Sequence, residues 1–383
     1  MTISRSLVEE TISWRQEFHQ YPELGFEEVK TSQRIVELLS SFGLKVEAGI
    51  AGTGVVATLS NGDGPTIGLR ADIDALPFTE LGDIEHKSCH QGVMHACGHD
   101  GHTAILLGAA KYLSQTRQFN GTVHFIFQPA EENLGGAKKM VEEGLFDRYP
   151  MSSVFGLHNW PGLPAGHIAV NSGAMMASLD TFKITLTGQS CHAAMPDKGI
   201  DPIVCASEVV SALQTITSRR LSPLDSAVVS VTQIHGGEAI NIIPETVELQ
   251  GTYRCLDKKV QHKVKQLIES ISTGVANSHD VSCHCEFFDG YVVTTNYPEQ
   301  AQQVHDIAVS TLGEECVHWN IAPSMASEDF SCMLEQCPGA YFWLGADSTT
   351  PSKPLHNAYY DFNDTIIETG LSLWKNLVED LLK

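Results

Sequence analysis

Met94-His95-Ala96-Cys97-Gly98-His99-Asp100-Gly101-His102 gathers a thiol, three imidazoles and a carboxylate around two glycines, just ahead of an apolar helical run from Thr103 to Leu113. Cys97 and His99 stand two apart, so an extended or turning backbone points them the same way. Glycines at 98 and 101 let the loop bend sharply enough to aim both at one point. A soft thiolate beside an imidazole suits a transition metal such as zinc and excludes a calcium or magnesium cage. The stretch is only half a site. A structural zinc finger would need a second pair of cysteines or histidines at close spacing, and no such pair follows, so the remaining ligands must come from far along the chain.

Working outward, the chain has 383 residues, more than one ordinary core holds, and two domains are expected. A hydrophobic content of 42% with 18% charged residues places it among globular proteins. The net charge of −22 argues against nucleic acid or an anionic membrane as a partner. An anionic small substrate stays open, because one local arginine can outweigh the global field. Residues 1–18 mix charges with an amphipathic pattern (Leu7, Ile12, Trp14), unlike a signal peptide, and no apolar run is long enough to span a bilayer. The 10 cysteines are scattered without paired spacing, which points to a reducing, cytoplasmic setting. Cys283 and Cys285 flank His284 in a strand-like run, where alternation favours packing on one face over metal binding.

Residues 1–42 read as two helices interrupted at Tyr21-Pro22-Glu23-Leu24-Gly25. Strands follow at 44–48, 54–59 and 66–71, with Asn61-Gly62-Asp63-Gly64 expected as a hairpin turn. The third runs into Asp72 and Asp74, and open α/β sheets place their chemistry at the carboxyl ends of such strands. Strand 122–127 ends at Gln128-Pro129-Ala130-Glu131-Glu132, and strand 153–157 ends at His158. Between 180 and 288 the pattern becomes βαββαβ, ferredoxin-like in order, after which α/β character returns with a loop holding His356 and a C-terminal helix from about residue 364. The expected fold is α/β, a discontinuous α/β domain (1–178 and 290–383) with an inserted α+β domain (179–289).

Cys97, His99, Glu132, His158 and His356 are thus the metal-competent candidates, each following a strand or an apolar run. Together the blocks LRADIDALP, MHACGHDGH, QPAEE, GLHNWP, CHAAMP, NIIPE, GTYR, SEDFS and PLHNAYYDF resemble, in matching order, the M20 metallopeptidase family. They are most similar to its amidohydrolase branch of hippurate hydrolases, N-acyl-amino-acid amidohydrolases and plant auxin-conjugate hydrolases. The resemblance implies that Cys97, His99, Glu132, His158 and His356 hold two divalent ions (Zn, Mn, Co or Ni), with Cys97 bridging them and Glu131 as general base. Such a division of labour suits adjacent glutamates, one on metal and one facing substrate. The competing reading is that Glu131-Glu132 merely start a helix, where its dipole favours acids.

The same resemblance implies that Asp74 orients a metal-bound group, and it puts Asp72 where the dinuclear peptidases carry a ligand histidine; capping a strand end is the other reading of Asp72. It makes His192 a group that reaches the neighbouring subunit's site and stabilises an oxyanion, and Asn241 and Arg254 holders of a substrate carboxylate. Arg254 could otherwise be a solvated strand arginine. Gln189-Ser190-Cys191 replaces a glycine-rich run, and Asp197 stands where a histidine is common, so the acyl preference stays open. His95 and His102 are expected to support the ligands, His86 and His90 to lie on the surface, and His124 and His235 to be satisfied strand residues. The expected activity is hydrolysis of N-acyl-amino acids by a cytoplasmic homodimer paired through the inserted domain. A dipeptidase or carboxypeptidase on the same centre, or a non-catalytic metal-binding module, are the alternatives. A thiol redox protein is excluded for want of a Cys-x-x-Cys pair near the loop.

Overall fold

The computed structural model describes residues 2–348 and 353–383. Its elements begin α1 (Arg5–Gln20), α2 (Val29–Ser41), β1 (Lys45–Ile50), β2 (Gly54–Asn61), β3 (Thr66–Asp72), α3 (His99–Thr116) and β4 (Gly121–Gln128). They continue α4 (Glu131–Leu134), α5 (Gly136–Glu142), α6 (Leu145–Arg148), β5 (Ser153–Pro164), β6 (Ile168–Val170), β7 (Ala174–Met176), β8 (Leu179–Thr187) and β9 (Cys191–His192). Next come α7 (Pro202–Leu213), β10 (Ala227–Gly236), β11 (Ile242–Ile243), β12 (Thr246–Cys255), α8 (Lys258–Ser278), β13 (Ser282–Tyr291) and β14 (Thr294–Thr295). The chain ends with α9 (Pro298–Leu312), β15 (Val317–Trp319), α10 (Ser331–Leu334), β16 (Gly339–Asp347) and α11 (Ile367–Leu381). Two compact units result: Met1–Met175 with Thr295–Ala322 and Asp329–Lys383, and Met176–Thr294 with Pro323–Glu328.

The first unit is built on an eight-stranded sheet ordered β1-β2-β4-β3-β5-β16-β6-β15. Strands β4, β3, β5 and β16 run parallel at its centre. Phe125, Phe127, Phe155 and Phe342 of these strands share one core with Trp14 and Phe18 of α1, Leu106 and Leu113 of α3, and Trp374 of α11. Each fully buried side chain of this kind contributes about 1.5–3 kcal/mol. Helix α3 is buried almost all round, which its Ala- and Leu-rich sequence permits. It starts four residues earlier than its apolar run, at His99, because Gly98 turns the chain at φ 89° and the polar first turn finds partners inside the protein. Gly101 is obligatory there: a Cβ would lie 2.2 Å from Phe362.

Two local expectations change. Asn61-Gly62-Asp63-Gly64 reverses the chain, but β2 and β3 do not pair; β4 lies between them, antiparallel to β2 and parallel to β3. The reversal is wide because the entry to β4 fills it: Thr122 N donates to Pro65 O at 3.0 Å, and both glycines pack against Asn120. A local turn signal specifies reversal, whereas pairing is decided by distant strands. Strand β5 also continues to Pro164, so His158 lies within the strand and not at its end, paired in register with Trp343 of β16.

The second unit has a four-stranded antiparallel sheet ordered β10-β12-β8-β13. In chain sequence β8-α7-β10-β12-α8-β13, the order across the sheet is second, third, first, fourth. Phe182, Ile184 and Leu186 alternate inward from β8 against Val209 and Leu213 of α7 and Val264 and Ile268 of α8. Asp201 caps α7 through Ile203 N and Val204 N, and Asp257 caps α8 through Lys259 N and Val260 N. Cys283 and Cys285 point together toward this core, their sulfurs 3.8 Å apart. A short ladder of β9 with β11, which the sequence did not suggest, sets His192 opposite Ile242.

Candidate metal centre

The centre forms in the first unit, where β3 and β4 deliver their carboxyl ends, and β5 its middle at His158, beside the start of α3. Cys97, His99 and Glu132 each offer a ligand atom, all within 4.8 Å of one another. The Cys97 sulfur lies 3.5 Å from His158 Nε2. His356, reached by a loop whose backbone takes φ 58°, sets Nε2 3.1 Å from Glu132 Oε1. Five residues from four stretches of chain therefore converge. His99 Nε2 and Glu132 Oε1 are buried without a hydrogen-bond partner among the described residues. For Glu132 the His356 nitrogen is at ion-pair distance but outside hydrogen-bond geometry.

Asp74 organises this face. Its Oδ1 accepts from His99 Nδ1 at 3.1 Å, its backbone O from the same nitrogen at 3.0 Å, and its Oδ2 from Glu132 N at 2.9 Å. Facing only acceptors, Nδ1 carries the proton, which leaves Nε2 as the donor atom toward a metal. His158 is arranged alike: Nδ1 donates to Asn159 O at 2.7 Å, and burial with His102 nearby keeps the ring well below its ordinary pKa, hence neutral. Burial opposes a proton on His99, but Asp72, Asp74 and Glu132 outweigh it and raise the pKa to about 10. The Cys97 thiol is pushed well above its usual value by burial, then by Glu132, Glu131 and Asp72. Without a cation the thiol stays protonated and His99 charged; a divalent ion would reverse both. Thiolate, imidazole and carboxylate donors fit a transition metal.

Asp72, His99, His102 and His158 form an adjoining cluster with ligand atoms equally close. His102 is already engaged: Nδ1 lies 2.6 Å from Asp72 Oδ1, and Nε2 lies 2.6 Å from Asn159 Oδ1. Asp72 also accepts from Arg70 Nη1 at 2.9 Å. Asp72 and His102 therefore brace the candidate ligands, and the Asp72 side chain is held by His102 and Arg70 and does not cap the strand end. His95 is buried with neither ring nitrogen hydrogen-bonded among the described residues. His86 and His90 are not simple surface groups, since His86 pairs with Asp361 at 3.0 Å and His90 Nδ1 donates to Pro22 O at 2.7 Å. His124 is buried against Thr58, and His235 is exposed beside Gln233.

Several contributors went unread in the sequence. Arg70 is fully buried and donates to Gln128 Oε1 at 2.8 Å, while Gln128 Nε2 donates to Asp329 at 2.7 Å, tying the ends of β3 and β4 together. Asn159 Nδ2 donates to Tyr360 OH at 2.6 Å behind His102. Beneath the first turn of α3, Asp100 Oδ2 lies 2.8 Å from His19 Nδ1 and 3.7 Å from Arg15 Nη1. An arginine inside an apolar strand was the one available signal for Arg70; the others carried none.

His192, Asn241 and Arg254 belong to the second unit. His192 is exposed, its Nδ1 accepting from Ala194 N at 3.1 Å. Asn241 is exposed, with its carbonyl held by Ala193 N at 2.9 Å. Arg254 is half-buried and donates to Ser327 Oγ at 3.2 Å, with no carboxylate at ion-pair distance among the described residues.

A parallel-centred α/β sheet thus carries a Cys-His-Glu cluster whose donor atoms suit a divalent transition metal, as in a metal-dependent hydrolase. Residues 68–380 match the profile of peptidase family M20/M25/M40. The hippurate hydrolase of Campylobacter jejuni is 40% identical over 370 residues, covering 96% of each chain. Thermostable carboxypeptidase 2 of Saccharolobus solfataricus is 38% identical, over 94% of this chain and 92% of that one. Among solved structures, a Bacillus subtilis protein described as a dinuclear metal binding peptidase superposes with a TM-score of 0.87 at 32% identity, covering 99% of both chains. The chain belongs to the M20 family. It is a metal-dependent hydrolase acting on amide bonds.

Proposed function

We propose that the chain hydrolyses N-acyl-amino acids to a carboxylic acid and a free amino acid. In this reading Cys97, His99, Glu132, His158 and His356 hold two divalent ions drawn from zinc, manganese, cobalt or nickel. The observation that carries it is the pair of neighbouring glutamates. Glu132 faces His99 and His356, while Glu131, 7% exposed, stands near enough to act on the Cys97 thiol. When bound, the ions polarise the scissile carbonyl and acidify water. Glu131 takes the proton from the attacking water and returns it to the departing amine. Asp74 keeps His99 in its ligand tautomer and fixes the Glu132 amide. Asn241 and Arg254 hold the substrate carboxylate, a role supported by the half-buried guanidinium without a carboxylate partner. His192 of the partner subunit donates to the oxyanion, and the second unit supplies the dimer contact. Ten free cysteines favour a reducing compartment, the cytoplasm.

A panel of N-acetyl-, N-benzoyl- and indoleacetyl-amino acids, set beside unblocked dipeptides and longer peptides, tests this on metal-reconstituted protein. Turnover of the acyl-amino acids well above the peptides is expected. Preference for free dipeptides, or for the C-terminal bond of longer peptides, would replace the reading with a dipeptidase or carboxypeptidase. The similarity to the Saccharolobus enzyme keeps that outcome in view.

A further inference from the structure

Glu28 occupies the N-cap position of α2, where a side-chain oxygen ordinarily accepts from its own helix. Its carboxylate makes no such bond. Oε1 instead accepts from Ala130 N at 2.8 Å, and Oε2 from Thr53 Oγ1 at 2.6 Å. Glu28 and Ala130 are both fully buried, and Thr53 nearly so. Burial pushes the Glu28 pKa up to about 7 despite these bonds, so the carboxyl sits where a charge is unwelcome and a nonpolar residue would be the easier occupant.

The amide it holds is singular in position. Ala130 adopts φ 53° and ψ 46°, left-handed backbone that L residues other than Asn and Asp seldom take, immediately before Glu131 and Glu132. Gly25 of the preceding loop presses on it, since a Cβ there would lie 3.0 Å from Ala130 Cα. On the other side Ala130 O accepts from Gly136 N at 3.0 Å. The segment that carries Glu28 also touches the Asp74 loop, for Ala75 N donates to Glu23 O at 2.9 Å and Leu24 bridges Ala75. Two carboxylates thus clamp alternate amides of one turn, Glu28 at Ala130 and Asp74 at Glu132.

We propose that Glu28 is a positioning residue for the amide hydrolysis assigned above: by accepting the Ala130 N–H it holds the left-handed turn from which Glu131 and Glu132 leave the backbone. The inference rests on that reading for its effect on turnover, and on the ligand role of Glu132 for its effect on metal. The hydrogen bond matters, not the charge. A glutamine can accept from Ala130 N through its oxygen while its amide donates to Thr53 Oγ1, so both contacts survive neutralisation.

Glu28→Leu and Glu28→Gln, compared with the unaltered protein, provide the test. In Glu28→Leu, kcat should fall about 100-fold, the scale expected when a catalytic group is misplaced by about 1 Å, with KM changed less than about threefold. Cobalt affinity, read from the thiolate-to-metal absorption in a chelator competition, should weaken about 10-fold, the scale seen when a group supporting a metal ligand is lost. Glu28→Gln should keep both within about threefold of the unaltered protein. Thermal melts must show each variant folded at the assay temperature; a folded Glu28→Leu with unchanged kcat and cobalt affinity would overturn the proposal. So would a Glu28→Gln as impaired as Glu28→Leu, because charge would then be the requirement. If the unaltered protein hydrolyses none of the panel, the functional reading fails while the cobalt measurement still decides Glu28: equal affinity in all three proteins overturns it, and loss in the leucine variant alone supports it.

Discussion

Cys97 stands in the middle of the candidate centre, its sulfur lying beside His158 on one side and within 4.8 Å of the donor atoms of His99 and Glu132 on the other. Burial raises its pKa, so only a cation makes it a thiolate. Removing metal with a chelator should therefore abolish turnover and return the thiol to its protonated form. Cys97→Ser should lower both metal content and turnover; full metal loading measured by atomic emission, together with full activity, would refute the ligand role. At the neighbouring pair, Glu131→Gln should keep metal and lose roughly 10²–10⁴-fold in kcat, the range for a general base. Glu132→Gln should instead lose metal, and the exchange of those phenotypes would reverse the assignment. The residue types at 97, 99, 131 and 132 were legible because thiol, imidazole and carboxylate chemistry is carried by the letters themselves. Glu28, Asn159 and Tyr360 were not, since their roles come from partners up to 201 positions away.

Helix α3 is the element on which the centre is mounted, and its first turn is locked from below by charge. Asp100 meets His19 and Arg15, and Arg15 in turn binds Asp361 and Asp364 at 2.9 and 2.7 Å. Burial lowers the His19 pKa, but Asp100 and Glu80 outweigh it and raise it from 6.5 to about 9. A raised histidine pKa stabilises the fold fully below about 6.5 and ceases to do so as pH climbs through about 9. The contribution is at most ~3 kcal/mol, and it is shared with the depressed Asp100, so the two are not added. Melting temperature should accordingly fall between pH 6.5 and 9.5 by more in the unaltered protein than in His19→Gln; parallel curves would show that the pair does not stabilise the folded state. Gly101→Ala, forced against Phe362, should lower the melting temperature and loosen metal binding together. Helix and strand positions followed from hydrophobic periodicity. The insertion of β4 between β2 and β3 did not, because pairing is a long-range choice.

At the scale of the whole molecule, the candidate residues fall in two units: one carries the metal-competent cluster, the other His192, Asn241 and Arg254. The net charge of −22 over the chain agrees with a small-molecule substrate, and no helix among the described residues is long and apolar enough to cross a membrane. If His192 serves the partner's centre, His192→Ala should cut kcat more than it raises KM and leave metal content unchanged. Mixing His192→Ala with Glu131→Gln chains should then restore activity, since each mixed dimer holds one site with both lesions and one with neither. Demonstrated subunit exchange without recovery would confine His192 to its own subunit or to no site.

The sequence by itself determined the α/β class, the separate βαββαβ segment and the side chains able to bind metal. These depend on local periodicity and on the chemistry of single residues. Only the tertiary structure decided that β3 stands between β4 and β5, that Asp72 and His102 pair beside the candidate ligands instead of standing apart, and that Glu28 reaches Ala130. Buried polar groups must find partners wherever the packed chain brings them, and no local pattern encodes a partner a hundred residues away.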